Sequence, residues 1–408
     1  MNVYVRELSA ALARSGVTCD VFTRAWHRDQ AATVFVEPGF RVHHVPAGPV
    51  APMAKESLPG VIDEFTDGVG RRLRAMASEG IETDAIHANY WLSGVAGHAL
   101  KHELDVPLIS TFHTLDRVKA EASREQLDAA EPARRAHAEA QVIGCSDAVL
   151  ASCTVEADQL VALYHADPDR IEIVPPGVDH AFFGPGDSRQ ARRALGFPPD
   201  APVMLFVGRI QPLKALGVAV EALGHLVHGP AGSRRYRTPG GSGLVRDATL
   251  VAVGGPSGPQ GAVELARVRR LADERRVRDH LRLVPPQVHE RLSTYYRAAD
   301  VVIVPSRSES FGLVALEASA CGVPVVASAV GGLTTLVDHG RTGYLVDEPA
   351  DPQLFADYAA RILSDDELAT TMGTAAAVRA GGYTWAAAGA QLRGRYAELT
   401  SRSLVQCR

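Results

Sequence analysis

Val301-Val302-Ile303-Val304 runs directly into Pro305-Ser306-Arg307-Ser308-Glu309-Ser310-Phe311-Gly312-Leu313-Val314-Ala315-Leu316-Glu317. Four consecutive β-branched apolar residues fit a strand buried on both faces, the kind found in parallel sheets covered by helices. Pro305 stops the strand, the Ser- and Gly-rich stretch turns the chain, and the residues from Leu313 on read as a helix. The same step recurs on either side of it. Residues 203–207 (VMLFV) end at Gly208, 250–253 at Gly254-Gly255 and 281–284 at Pro285, while 324–327 closes the series. Upstream, residues 3–14 read as a helix with Val5, Leu8 and Leu12 on one face and Gly16 as its stop. Short strands follow at 17–23, 40–46, 83–87, 107–111 and 148–151, separated by helices such as 62–76 and 94–104. Alternation of this sort predicts βαβ units, and hence the α/β, doubly wound class.

A chain of 408 residues exceeds what one hydrophobic core usually supports, so two domains are expected. The restart of the pattern puts a hinge between Pro175 and Gly186. The reading is an N-terminal domain over 1–178, a C-terminal domain over 179–385, and a C-terminal helix over 386–408 packing back on the first domain. That last stretch is helical in pattern to about Ser401. Residues 229–247, rich in Gly, Ser, Pro and Arg, read as a surface insertion.

Composition narrows the function classes. A formal net charge of −5 and a pI near 6.3, with no basic stripe, argue against nucleic acid or an acidic membrane as partner. Cys19, Cys145, Cys153, Cys321 and Cys407 are odd in number and scattered, which argues against a disulfide framework or a zinc site and fits a reducing cytoplasm. No apolar run approaches the ~18 residues of a membrane span, and Met1 to Arg6 lead straight into an amphipathic helix without a signal peptide.

Two constellations carry chemistry in the C-terminal half. In Val207-Gly208-Arg209-Ile210-Gln211-Pro212-Leu213-Lys214 a strand ends at glycine and two cations follow, five residues apart. Both can face a diphosphate at a strand-to-helix turn. Taken alone, a solvated Arg and Lys in an exposed turn explain it equally well. The second constellation shifts that balance. Glu309 lies in the turn after the 301–304 strand and Glu317 just over two helical turns beyond, placed to accept hydrogen bonds from sugar and ribose hydroxyls. Phe311 and Gly312 would present helix N-terminal amides to phosphate. The plain alternative, a first-turn dipole partner and a surface charge, suits either residue but not both together.

The succession GRIQPLK, AVGGPSGP, YRAAD and PSRSESFGLVALEASACGVPVVASAVGG resembles retaining glycosyltransferase family 4, over nearly the whole chain. The resemblance implies the GT-B fold, two Rossmann-like domains facing a central cleft. Within the family the likeness is to members that move N-acetylglucosamine from UDP onto 1D-myo-inositol 3-phosphate, at the start of mycothiol biosynthesis. It implies that Arg209 and Lys214 contact the diphosphate, that Glu309 holds the donor sugar and Glu317 the ribose, and that Gln287 touches the uracil through its backbone. Tyr296, Arg297 and Ala299 match positions that can hold a structural magnesium. No catalytic metal is implied, because Arg and Lys neutralise the leaving diphosphate. A homodimer is implied as well.

The acceptor is expected in the N-terminal half. Asn89-Tyr90-Trp91-Leu92-Ser93-Gly94 and Thr111-Phe112-His113-Thr114-Leu115 follow predicted strands, which places them at the sheet's C-terminal edge. By resemblance His113 lies beside the reacting sugar, as a donor to it and not as a general base. Asn2, Lys55, Tyr90, Thr114 and Arg134 would hold a small, phosphorylated acceptor, two cations for charge and two hydroxyls for orientation. Singly, each of these is as well explained by exposure or packing. Family members begin with a strand and a loop of the form GGMNVYV, whereas this sequence starts at the Met of that motif. A misplaced start, a shortened chain or an inactive protein would each account for that. The intact C-terminal motifs favour the first, with the chain as given expected to be weakly active or unstable. An aminocyclitol or other natural-product acceptor, a sucrose-phosphate-synthase-like role, a sugar-phosphate epimerase and an inactive binding or regulatory protein on the same scaffold are the alternatives.

Overall fold

The computed structural model describes residues 2–122, 130–229 and 245–407. The chain forms two compact units, one from residues 1–177 and 385–408, the other from 178–384.

In the first unit a helix, Asn2–Arg14, precedes seven strands: β1 (Cys19–Arg24), β2 (Thr33–Glu37), β3 (Phe40–Val45), β4 (Ile86–Asn89), β5 (Leu108–Thr111), β6 (Ala148–Ala151) and β7 (Ile171–Ile173). They make two sheets, ordered β1-β3-β2 and β4-β5-β6-β7. All pairings are parallel except that of β2 with β3. The sheets share cores: Phe22 and Val45 of the first pack with Ile86 of the second around Val69, Leu73, Met76 and Leu100. Strands β5 and β6 are wholly buried, as their apolar runs predict. Strands β2 and β7 went unread because Thr33–Glu37 is mostly exposed and Ile171–Ile173 spans three residues. The C-terminal helix Trp385–Leu399 packs on Asn2–Arg14 through Tyr4, Leu8, Trp385, Ala388 and Leu392. Gly389 permits the approach, since a Cβ there would lie 3.2 Å from the Ala11 methyl.

The second unit has one six-stranded parallel sheet of β8 (Val203–Val207), β9 (Thr249–Val253), β10 (Leu281–Val284), β11 (Val301–Val304), β12 (Val325–Ser328) and β13 (Gly343–Val346), in the order β10-β9-β8-β11-β12-β13. Its helices bury Leu216, Val220, Leu223, Val268, Phe355 and Ile362 against the strands. Strand β13 follows the point where the apolar series was expected to close, because its Gly-Tyr-Leu-Val lacks a β-branched run. The insertion expected at 229–247 lies mainly outside the described residues. At its far end Val245 is buried.

The cysteine expectation is corrected. Cys145 and Cys407 are joined as a disulfide across 262 residues. Local spacing could not reveal a pair that only the return of the C-terminal segment brings together. Among the described residues no helix is long and apolar enough to cross a membrane.

Candidate functional site

In the second unit the chain lays strands outward in both directions from the β8–β11 pair. The loops after these two neighbours therefore diverge, leaving the crevice where open α/β sheets bind ligands. Main-chain bonds tie the loops together: Arg307 N donates to Leu213 O at 2.9 Å, and Ile210 N to Gly255 O at 2.8 Å. Lys214 and Glu309, 95 residues apart, meet here, with Nζ donating to Oε2, and Ser306 Oγ donates to the same oxygen at 3.3 Å. The Glu309 main chain is held from behind. Gly331 has φ 51°, and a Cβ there would sit 1.8 Å from Glu309 O, to which Gly332 N donates at 3.2 Å. Arg209 is exposed beside Gly208, where its guanidinium is available to a ligand.

Gly312, with φ 107°, caps the start of the helix Leu313–Ala320 with no side chain over its first amides. On that helix Glu317 accepts a hydrogen bond from Tyr296 Oη at 2.7 Å. Burial lifts Glu317 to about 7, and the Tyr296 hydroxyl pulls it down by less. Gln287, just after β10, folds its amide onto Pro285 O at 2.8 Å. The side chains at the suggested magnesium positions offer little to a metal. The Tyr296 hydroxyl serves Glu317, Arg297 is a cation donating to Phe182 O and Ser293 Oγ, and Ala299 has no donor atom. Main-chain carbonyls are the oxygens left for such an ion, and that of Tyr296 already accepts from Ala299 N.

In the first unit β4 and β5 end side by side, each followed by a residue in the left-handed region: Tyr90 at φ 82° and His113 at φ 60°. Such backbone costs a non-glycine residue on the order of 1–3 kcal/mol and persists only where the surroundings hold it. Tyr90 N donates to Thr111 O at 2.7 Å, and His113 Nε2 lies 2.9 Å from Asn89 Oδ1. Burial, with His87 nearby, lowers His113 to about 3, so the ring is neutral at neutral pH. A neutral imidazole held by Asn89 suits hydrogen bonding better than charge neutralisation.

Around these ends the structure gathers Thr114, Tyr90 and a cation that the sequence reading missed. Arg135 donates to Thr114 O at 2.7 Å and Oγ1 at 3.2 Å, lies 5.1 Å above the Tyr90 ring, and pairs with the buried Glu139 at 2.7 Å. Arg134, the residue singled out from sequence, is exposed on the same helix. Helical periodicity held the signal, because Arg135, Glu139 and Val142 share one buried face. Lys119 was missed as well. Burial lowers it to about 8, and the nearby cations Arg135 and Lys55 push the same way. Lys55 is exposed, 3.6 Å from Glu56, and Asn2 is exposed at the start of the first helix.

A doubly wound sheet with cations and carboxylates at its switch point, and a second parallel sheet with strained polar strand ends, define a nucleotide-sugar-dependent glycosyltransferase of the GT-B class. Comparison with known proteins gives the family. Residues 187–379 match the model for glycosyl transferases group 1, and residues 1–177 match the glycosyl transferase 4-like domain. The chain belongs to this family and is a hexosyltransferase. It is 45% identical to the D-inositol 3-phosphate glycosyltransferase of Xylanimonas cellulosilytica, over 98% of this chain and 92% of that protein. It is 47% identical to the enzyme of the same name from Acidothermus cellulolyticus, over 89% and 78%. The solved sucrose-phosphate synthase of Thermosynechococcus elongatus superposes with a TM-score of 0.83 at 32% identity, covering 98% of this chain and 93% of that one.

Proposed function

We propose that the chain moves N-acetylglucosamine from UDP onto 1D-myo-inositol 3-phosphate with retention, opening mycothiol biosynthesis. The observation that carries the acceptor assignment is Arg135 on the Thr114 hydroxyl at 3.2 Å, with Lys119 and Lys55 near enough to add to its charge. An uncharged acceptor has no use for such a concentration of cations, whereas a phosphate monoester does. The names of the curated relatives point the same way.

Arg209 and Lys214 neutralise the diphosphate as it leaves. Lys214 exchanges its Glu309 partner for phosphate oxygen, which frees Glu309 to accept from the sugar hydroxyls. Glu317 receives the ribose hydroxyls, and the Gln287 main chain meets the uracil. His113 lies beside the sugar, its neutral ring giving Nε2–H to Asn89 Oδ1. The bond from the anomeric carbon to UDP oxygen breaks and the acceptor oxygen joins the same face. The acceptor proton passes to the departing phosphate, so no side-chain base is needed. Asn2, Lys55, Tyr90, Thr114 and Arg134, together with Arg135 and Lys119, hold the acceptor. A homodimer in the cytoplasm, with magnesium held by main-chain carbonyls around residues 296–299, completes the proposal.

The test is UDP release from UDP-N-acetylglucosamine with inositol 3-phosphate, free inositol, a hexose phosphate or an aminocyclitol as acceptor. Release that needs inositol 3-phosphate is expected. Turnover with the aminocyclitol and none with any phosphate would overturn the acceptor and leave the transferase.

A further inference from the structure

Away from both sites, four side chains converge on one point of the first unit: His98, His102, Cys145 and Cys407, with ligand atoms all within 4.8 Å of one another. We propose that, with its cysteines reduced, this quartet is a structural zinc site that fastens the C-terminal segment to the first unit. The inference is independent of the reaction assigned above.

The donor set is the first ground. His98 and His102 stand four residues apart on one face of the helix Trp91–Leu104, the spacing by which a helix offers two imidazoles to one ion. Both present Nε2 to the Cys407 sulfur, at 3.3 and 3.1 Å. Cys145 ends the helix Ala130–Cys145, and its Cα lies 5.0 Å from that of Cys407. Zinc with two thiolates and two imidazoles is tetrahedral, with bonds of about 2.3 and 2.0–2.1 Å that put neighbouring ligand atoms roughly 3.3–3.8 Å apart. The quartet needs only small side-chain rotations to meet that geometry. A disulfide alone accounts for the two sulfurs but gives no reason for two imidazoles to converge on one of them.

The second ground is how the ligands are delivered. Lys101, between the two histidines in sequence and 1% exposed, donates from Nζ to Cys145 O at 2.8 Å, to Val405 O at 3.0 Å and to Asp147 Oδ2 at 2.8 Å. Asp147 in turn accepts from Val405 N at 2.7 Å and Leu108 N at 2.7 Å. One buried ion pair thus clamps the turn that carries Cys145, and the segment that carries Cys407, to the histidine helix. Burying such a pair costs desolvation that its attraction barely offsets, so its contribution here is to fix position. Outer contacts of this kind orient metal ligands. With four protein ligands the site is closed and structural.

Reduction by a phosphine adds two electrons and two protons to the disulfide and gives two thiols. Zinc then displaces those two protons and binds both thiolates and both neutral imidazoles. The experiment uses the full chain, reduced with a phosphine, stripped with a chelator and titrated with zinc alone. Expected are one zinc per chain, slower alkylation of Cys145 and Cys407 when zinc is added, a raised melting temperature and, with cobalt substituted, the visible bands of a tetrahedral thiolate site. The double variant His98→Ala/His102→Ala keeps both cysteines and any disulfide, yet should bind zinc at least about tenfold more weakly. Cys407→Ser, close to the chain end, should do the same without loss of fold by circular dichroism. Zinc binding equal in the wild type and the histidine variant, or none in the reduced wild type, would overturn the proposal and leave a disulfide alone.

Discussion

The two units build their sites by different means. In the second unit the site is made of two loops whose main chains are pinned by close contacts, Gly331 against Glu309 and Gly254 against Gly208, where an added Cβ would lie 1.8 Å from a carbonyl oxygen in each case. In the first unit the proposed site rests on side chains brought together from distant stretches, Arg135 on Thr114 and above Tyr90, with Lys119 and Lys55 as neighbouring charges. Pinned loops write their geometry into short contiguous motifs. Converging side chains leave only isolated residues in the sequence, each with an ordinary explanation of its own.

The largest effect that tests this contrast belongs to the pinned loops. Lys214→Ala should lower kcat for transfer by about 10²–10³-fold, the range for removing one charge-stabilising group from a reacting centre. Arg209→Ala, exposed at the rim, should cost roughly tenfold less than that. Equal losses at both positions would mean that the Lys214–Glu309 pairing does not mark the more critical cation.

Next in size is the choice between two adjacent arginines. Arg135→Ala should raise the acceptor KM by tens of fold. It should also destabilise the fold by about 3–5 kcal/mol, since Glu139 stays buried without its cation, held only by Asp116 N and the Tyr164 hydroxyl. Arg134→Ala should leave stability within about 0.5 kcal/mol, as for most exposed positions. Acceptor kinetics in both variants, beside urea melts, would separate the roles. If Arg134→Ala raises KM while Arg135→Ala only lowers stability, the exposed arginine binds phosphate and the buried one merely supports it.

The same difference sets what could be read in advance. Strands β8, β9, β11 and β12 were legible because residues buried on both faces are nearly all apolar. The edge strand β10 was legible from its place in the series, although Arg282 is exposed, and the positions of Glu309 and Glu317 from the strand–turn–helix order. Strand β13 was not, having neither a β-branched run nor alternation. Tyr90 and Thr114 follow predicted strands, which placed their segments at a sheet edge, but only the family resemblance suggested a role for them. Which of Arg134 and Arg135 reaches the Thr114 hydroxyl depends on helix phase, which a motif does not carry. The Cys145–Cys407 pair could not be read at any spacing, since 262 residues separate its members.

Gly331→Ala asks whether the pinning itself matters. The substitution places a methyl on Glu309 O and forces alanine to φ 51°, a conformation costing about 1–2 kcal/mol before any clash. Transfer should fall by roughly tenfold with the UDP-sugar KM raised, since a loss of about 1.4 kcal/mol at the sugar contact corresponds to that factor. Gly340→Ala, also at positive φ but with open space around it, should lower the melting temperature without touching KM. A matching KM change in both variants would show that strain alone, and not the Glu309 loop, is responsible.

The smallest effect is a pH dependence, and here stability and binding run in opposite directions. Burial raises Glu317 from an ordinary glutamate value of 4.5 to about 7. Between those values the folded chain holds a proton that the unfolded chain has released. The contribution to stability is therefore complete below about pH 4.5 and is lost as pH rises through 7, by at most about 3 kcal/mol. Glu317→Gln should remove that slope from thermal melts taken between pH 5 and 8. Ribose hydroxyls, by contrast, donate to the ionised carboxylate, so UDP affinity should strengthen severalfold over the same interval. Because phosphate also titrates near pH 6, the readout is the difference between wild type and Glu317→Gln by calorimetry. Identical binding slopes in the two proteins would remove Glu317 from the ribose and leave it a packing partner of Tyr296.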